Sequence, residues 1–226
     1  MRVFDPAEHS PEKCQSMLSS VIVPRPIAMI STANAHGTVN VAPYSYFMPV
    51  TGRPPLLAVT MGSRRETRSE PKDTWANTER TGEFVVNITS EAMRDKIEAA
   101  ALEFPADVSE MELLGWTPLP SRHVSHPGIA ESPVHLECRV RQVVDLGADD
   151  LYWSTVHLVV AEVVCMTLDE SVCSADLHVD PQRLAAVGRM TFPYFVQASG
   201  DALFGLGRHG YEEYLATGEL PGPLDS

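Results

Sequence analysis

Val134, Leu136, Cys138 and Val140 alternate with His135, Glu137, Arg139 and Arg141, and a period of two marks a β-strand with one apolar face and one wet face. Trp153 to Leu168 follows as a long partner, and Asp145 to Asp150 supplies the turn, so an antiparallel hairpin is expected. A second hairpin is expected from Ile27–Thr32 and Thr38–Pro43, because Asn34-Ala35-His36-Gly37 tolerates the positive φ of a tight turn. Pro55–Met61 and Glu83–Ile88 add two more strands. Helical signals fall between them. Ser10-Pro11-Glu12-Lys13 opens a short peripheral helix to about Leu18, Asp73–Arg80 forms a second closed by Gly82, and Ser90–Ala101 a third. Residues 102–133 hold five prolines and Trp116 and are expected as an irregular covering excursion; the tail from about Asp180 is expected as helix and loop. Strands joined mostly antiparallel, with helices inserted rather than alternating, predict a mainly β fold, a barrel or strongly bent sheet, over a doubly wound one.

The 226 residues suffice to bury roughly seven tenths of the chain's surface. No Gly/Ser or charge-run linker interrupts them, so one domain over residues 1–226 is expected. The net charge of −13 disfavours nucleic acid and anionic lipid as partners. The charge is uneven: residues 1–80 carry 9 basic and 7 acidic side chains, and residues 81–226 carry 8 and 23. An anion site is therefore expected in the first third. Cys14, Cys138, Cys165 and Cys173 form no C-x-x-C, and no charged-then-apolar leader opens the chain, so a reduced, cytoplasmic protein is expected. No apolar run approaches the roughly 18 residues of a membrane span.

Several motifs carry little. Gly205-Leu206-Gly207-Arg208-His209-Gly210 matches G-x-G-x-x-G, but a dinucleotide fingerprint opens a helix within a βαβ unit of about 30 residues, and 16 residues follow it. It reads as a glycine-rich loop. His123-x-x-His126 lacks helical spacing and a third ligand nearby, so no metal is expected. Asn87-Ile88-Thr89 is a sequon in an expected cytoplasmic strand. Neither a G-x-S-x-G elbow nor a P-loop is present. A triad assembled by the fold is recognised by geometry alone, so a hydrolase stays as a weak alternative at this point.

One constellation points to chemistry. Arg53, Arg64, Arg65, Arg68 and Lys72 face only Glu66 and Glu70 within residues 53–72. They lead into Lys72-Asp73-Thr74 at a helix start, where unpaired N–H groups and the positive dipole end favour a phosphate. Ser63, Ser69 and Thr74 can add hydroxyl donors. From this feature alone, a solvated loop pairing with surface acids is the readier account of the charges.

Pro24-Arg25-Pro26-Ile27-Ala28, Ile30-Ser31-Thr32, Gly37 and Asn40-Val41-Ala42-Pro43-Tyr44-Ser45-Tyr46-Phe47 resemble the N-terminal signature of the flavin reductase-like family, the FMN-binding split barrels. Pro71-Lys72-Asp73-Thr74 with Asn77, Thr81-Gly82-Glu83-Phe84-Val85-Val86-Asn87, Ile129-Ala130-Glu131-Ser132-Pro133 with Leu136-Glu137-Cys138, and Gly188-Arg189-Met190 with Tyr194 are similar to further family segments in the same order. The resemblance spans about residues 20–195, leaving 196–226 as a helix and loop tail. It implies an antiparallel Greek-key split β-barrel, usually a homodimer, with FMN in a cleft near the interface. It implies that residues 40–47 run along the isoalloxazine, with the backbone around Ala42 at its polar edge, Asn40 and Ser45 bonding ring or ribityl, and Tyr44 and Phe47 as apolar walls. Arg64, Lys72 and Thr74 would hold the phosphate, with Ser63 and Thr32 behind them. Arg25 would reach the phosphate or pair across the dimer, and Arg189 would approach FMN or nicotinamide or form an interface ion pair. Trp75 is expected as core. The implied activity is that of an NAD(P)H:flavin oxidoreductase using NADH or NADPH, with a monooxygenase or other redox protein as a partner. Thr191-Phe192-Pro193 departs from the family's glycines here, which favours a second reading, a flavoredoxin-like electron carrier that does not turn over nicotinamide. No catalytic side chain is assigned, because the cofactor carries the chemistry.

Overall fold

The computed structural model describes residues 1–64, 70–146, 156–207 and 211–218. Its strands are β1 (Arg25–Pro26), β2 (Ala28–Ala33), β3 (Val39–Tyr44), β4 (Phe47–Gly52), β5 (Pro55–Gly62), β6 (Glu83–Ile88), β7 (Pro118–Leu119), β8 (Gly128–Ile129), β9 (Val134–Asp145), β10 (Val156–Leu168), β11 (Val187–Arg189) and β12 (Phe195–Gln197). The α-helices are α1 (Pro11–Val21), α2 (Asp73–Thr81), α3 (Glu110–Leu113), α4 (Pro181–Leu184) and α5 (Tyr211–Thr217). None of them is long and apolar enough to cross a membrane.

Seven strands form one antiparallel sheet in the order β3-β2-β6-β9-β10-β5-β4. β3 runs into β4 through Ser45 and Tyr46, so two residues join opposite edges of the sheet and force it to curl into a barrel. The Thr60 N–H donates to the Tyr46 carbonyl at 2.9 Å along that seam. Alternation then divides β2 between two cores. Ala28 and Ile30 face the barrel interior with Val59, Met61, Phe84 and Val159, whereas Ile27 and Met29 face an outer layer with Met93, Met111 and Trp116. At about 25 cal/mol per Å² of apolar surface removed from water, burial on both faces makes β2 and β6 the strands least able to tolerate polar substitution.

The hairpin and helix signals act as expected. The Asn34 carboxamide accepts from the N–H groups of His36 and Thr38 at 2.9 and 3.0 Å, and Gly37 takes φ +89°. Ser10 caps α1, and Gly82 ends α2 in the left-handed region. β4 carries no alternation and is not among the strands expected from the sequence; most of its side chains stand exposed. Four expectations need correction. Residues 90–101 form a 3-10 helix over Glu91–Lys96 followed by turns, not one α-helix. The tail from Asp180 contributes β11 and β12, which pair with β1 in a small second sheet. Residues 102–133 contain α3 and the β7–β8 pair. Finally, His135 and Glu137 are buried rather than wet. Residues 121–129 cover that face of β9, where Glu137 accepts from the N–H groups of Arg122, His123 and Val124 at 2.8, 2.6 and 3.2 Å. The turn expected at Asp145–Asp150 extends past residue 146, outside the described residues, as do Trp153 and the second half of the glycine motif at 205–210.

His126 is a packing residue. Its Nδ1 accepts from the Ala33 N–H at 3.0 Å and its Nε2 meets the Thr81 hydroxyl at 2.9 Å, while burial holds its pKa below the ordinary value. Among the described residues no cluster of three His, Cys, Asp or Glu could hold a metal ion.

Candidate functional site

Helix α2 lies across one end of the barrel. Trp75 turns inward as expected and stacks on His157 with centroids 4.0 Å apart, which anchors the helix to β10. Its N-terminus faces a cleft: Lys72 is the N-cap residue, and its side chain makes no capping bond to the first-turn N–H groups. A helix start in this state offers partial positive charge and donors to an anion. The loop leading to it is pinned where Ser63 bridges Pro71 and where the Lys72 N–H donates to the Gly62 carbonyl at 3.3 Å.

The cleft brings together Asn40, Ala42, Arg64, Lys72 and Thr74, with residues 100–104 and Glu110 as its other wall. Its free volume is about 50 Å³. Behind it runs a buried polar chain. Asn77 donates to the Thr32 hydroxyl at 3.1 Å, the Thr74 hydroxyl donates to the Asn40 carboxamide oxygen at 2.8 Å, and the Asn40 amide donates to Glu110 at 3.1 Å. Glu110 also accepts from the Val41 N–H at 3.1 Å. Burial raises the Glu110 carboxyl above its ordinary value despite those bonds. The network fixes which way Asn40 presents its carboxamide, and Thr32 serves it from behind rather than lining the cleft. Arg64 is paired with Asp73 at 2.6 Å and donates to the Phe104 carbonyl at 3.1 Å, and Lys72 faces Glu103 at 3.6 Å.

A second pocket of about 130 Å³ adjoins the first across Pro43 and Ala101 and is lined by Ser45, Glu98, Arg189 and Phe195 among others. Arg189 is held by Glu98, and its guanidinium lies 4.4 Å from the Phe195 ring and 5.5 Å from that of Phe192. Tyr44 does not wall either pocket: its ring sits in the barrel core, where burial pushes the phenol up. Phe47 packs against the barrel core and lines a separate apolar hollow of about 390 Å³ beside α1. Arg25 neither reaches the cleft cations nor stands free. It donates to the Ser19 and Ile22 carbonyls at the end of α1 and to the Ser45 hydroxyl. Arg65, Arg68 and Ser69 lie outside the described residues. Glu103 and Glu110 escaped the sequence reading; the signal for Glu110 was the N-cap Ser109, whose side chain accepts from the Glu112 N–H and donates to the Val39 carbonyl.

Arg64, Lys72, Thr74 and the first turn of α2 thus meet beside β3 at one cleft of a bent antiparallel barrel. Residues 18–187 match the model of the flavin reductase like domain, and the chain belongs to that family. It is 32% identical over 185 residues to an uncharacterized protein of Aquifex aeolicus, covering 82% of this chain and 90% of that one. Nitrilotriacetate monooxygenase component B from Bacillus cereus superposes with a TM-score of 0.81 at 29% identity over 89% of this chain and 97% of its own. A split barrel domain from Shewanella frigidimarina superposes at 0.74 with 19% identity, covering 93% and 100%.

Proposed function

We propose that this chain is an FMN-binding NAD(P)H:flavin oxidoreductase acting as a homodimer. The observation that carries the reading is the convergence of Arg64, Lys72, Thr74 and the α2 N-terminus on one cleft continuous with β3. The donor set fits a phosphate: two cations, a hydroxyl and first-turn amides outmatch what a neutral ligand needs. A bound flavin supplies the redox chemistry, taking a hydride from reduced nicotinamide and passing electrons on. Arg64, Lys72 and Thr74 hold its phosphate. Asn40, oriented by Glu110 and Thr74, and Ser45 serve the ribityl chain and ring edge, with the backbone around Ala42 alongside. Arg189 lends positive charge near the head, where a reduced flavin is anionic. Thr32 and Ser63 keep Asn40 and the phosphate loop in place.

The likeness to a monooxygenase component supports a monooxygenase as the consumer of the electrons. The deciding measurement is the visible spectrum of protein loaded with FMN, before and after anaerobic NADH or NADPH. Bleaching of the flavin's visible absorption is the expected outcome; FMN that binds but stays oxidised would turn the assignment to a flavoredoxin-like carrier. That second reading is favoured by Phe192, whose ring stands 5.5 Å from the Arg189 guanidinium in a segment that departs from the family's glycines.

A further inference from the structure

The cations of the cleft are already matched. Arg64 is bound by Asp73, and Lys72 faces Glu103 at 3.6 Å with side chains 25% and 16% exposed. A pair this well covered is screened little by salt. Glu103 and Phe104 are neighbours on one short strap: Arg64 takes the Phe104 carbonyl while Lys72 takes the Glu103 carboxylate. Residues 103–105 belong to no helix or strand, and the last turn before them closes with the Leu102 N–H on the Ala99 carbonyl at 3.2 Å. At its other end the same stretch is tied by Glu98 to Arg189 in the adjoining pocket. Residues 100–104 form one wall of the cleft that holds Arg64, Lys72 and Thr74, so Glu103 borders any phosphate held there.

We propose that Glu103 is a tethered competitor for the flavin phosphate: it occupies the phosphate's counter-ion, Lys72, and must give it up before the phosphate is held. This inference rests on the flavin reading of the site and sharpens it. Flavin bound here exchanges with the free pool, as a substrate does, because each phosphate contact with Lys72 is made at the expense of one that the empty protein already has. Specificity follows as well. The phosphate of FMN adds little affinity over riboflavin, so the protein accepts flavins by head and ribityl more than by charge.

The test is fluorescence titration of the full chain with FMN and with riboflavin, for the wild type, Glu103→Gln and Glu103→Ala. Neutralising Glu103 is expected to tighten FMN about five- to tenfold, the scale of a partly covered ion pair, and to leave riboflavin unchanged. The wild type alone gives a second check: its riboflavin and FMN Kd values are expected to differ by less than about tenfold, against roughly a hundredfold for an uncompensated charged hydrogen-bonding seat. FMN binding by the wild type with no tightening in either variant, or a wild-type ratio above about tenfold, overturns the inference and leaves the flavin reading standing. No binding of either flavin by any form overturns both.

Discussion

Replacing Glu137 with alanine tests how residues 121–129 are held on the barrel. The carboxylate is 3% exposed and accepts from three successive N–H groups at 2.8, 2.6 and 3.2 Å. Hydrogen bonds to a charged acceptor each contribute about 1.5–3 kcal/mol, but the three share one acceptor group and are not additive. Arg122 and His123 are exposed residues, so water can recover part of what their amides lose. A net loss of about 3 kcal/mol follows, and at roughly 2–4 °C per kcal/mol for a chain of this size the Tm should fall by about 6–12 °C. Glu137→Gln keeps one oxygen for two of the N–H groups and turns an NH2 towards the third, so it should lose about half as much. Urea denaturation gives the stability change, and amide exchange at residues 122–124 gives its location. A loss below about 1 kcal/mol, or unchanged exchange at those amides, would refute the assignment of Glu137 as the anchor of the covering segment.

Further outcomes are expected at the site and around it. Arg64→Ala should weaken FMN binding by about three- to fivefold, inside the margin of less than about tenfold that the phosphate adds, with riboflavin nearly unaffected, and Lys72→Ala should cost less still, because there the phosphate only takes the place of Glu103; equal losses for both flavins would move the phosphate elsewhere. Burial raises the Glu110 carboxyl above its ordinary 4.5, so the folded protein binds that proton more tightly than the unfolded chain. Its contribution is therefore complete below about pH 4.5 and is lost as pH rises through the folded value. Relative to Glu110→Gln, the wild type should lose stability over that window in a pH series of urea midpoints; a gain with rising pH would contradict the sign. Gly128→Ala places a Cβ 2.8 Å from His135 Cδ2 and 3.2 Å from Asn87 Oδ1, and overpacking of this kind costs about 1–3 kcal/mol, readable by thermal melting.

Local chemistry was legible wherever a residue acts on its own neighbourhood. Asn34 and Gly37 make their turn, Ser10 caps its helix and Gly82 ends another because each bonds or bends backbone within four residues of itself. The β6 boundaries at Glu83 and Ile88, the cation cluster and the helix start at Asp73 follow from the same short-range rules. Alternation in β9 was legible as a strand, but not the fate of its second face. Whether His135 and Glu137 meet water depends on residues 121–129 folding back over them, an event no period of two encodes. β4 and the pairing of β1 with β11 were hidden for a related reason. Their strand character comes from hydrogen bonds to partners distant in sequence, such as Arg25 opposite Arg189, rather than from the residues' own pattern.

The candidate site divides the same way. Sequence order put Arg64, Lys72 and Thr74 close together, and resemblance added Asn40 from β3. Only the closed barrel brought Glu110, Glu103 and Phe104 against them from residues 100–110, turned the Tyr44 ring into the core and committed Arg25 to the end of α1. Chain connectivity and backbone propensity act over a few residues and can be read along a line. Burial, ion pairing and the direction a side chain faces are set by what arrives from elsewhere in the chain, and for this protein that was decided when the sheet curled and its excursions packed over it.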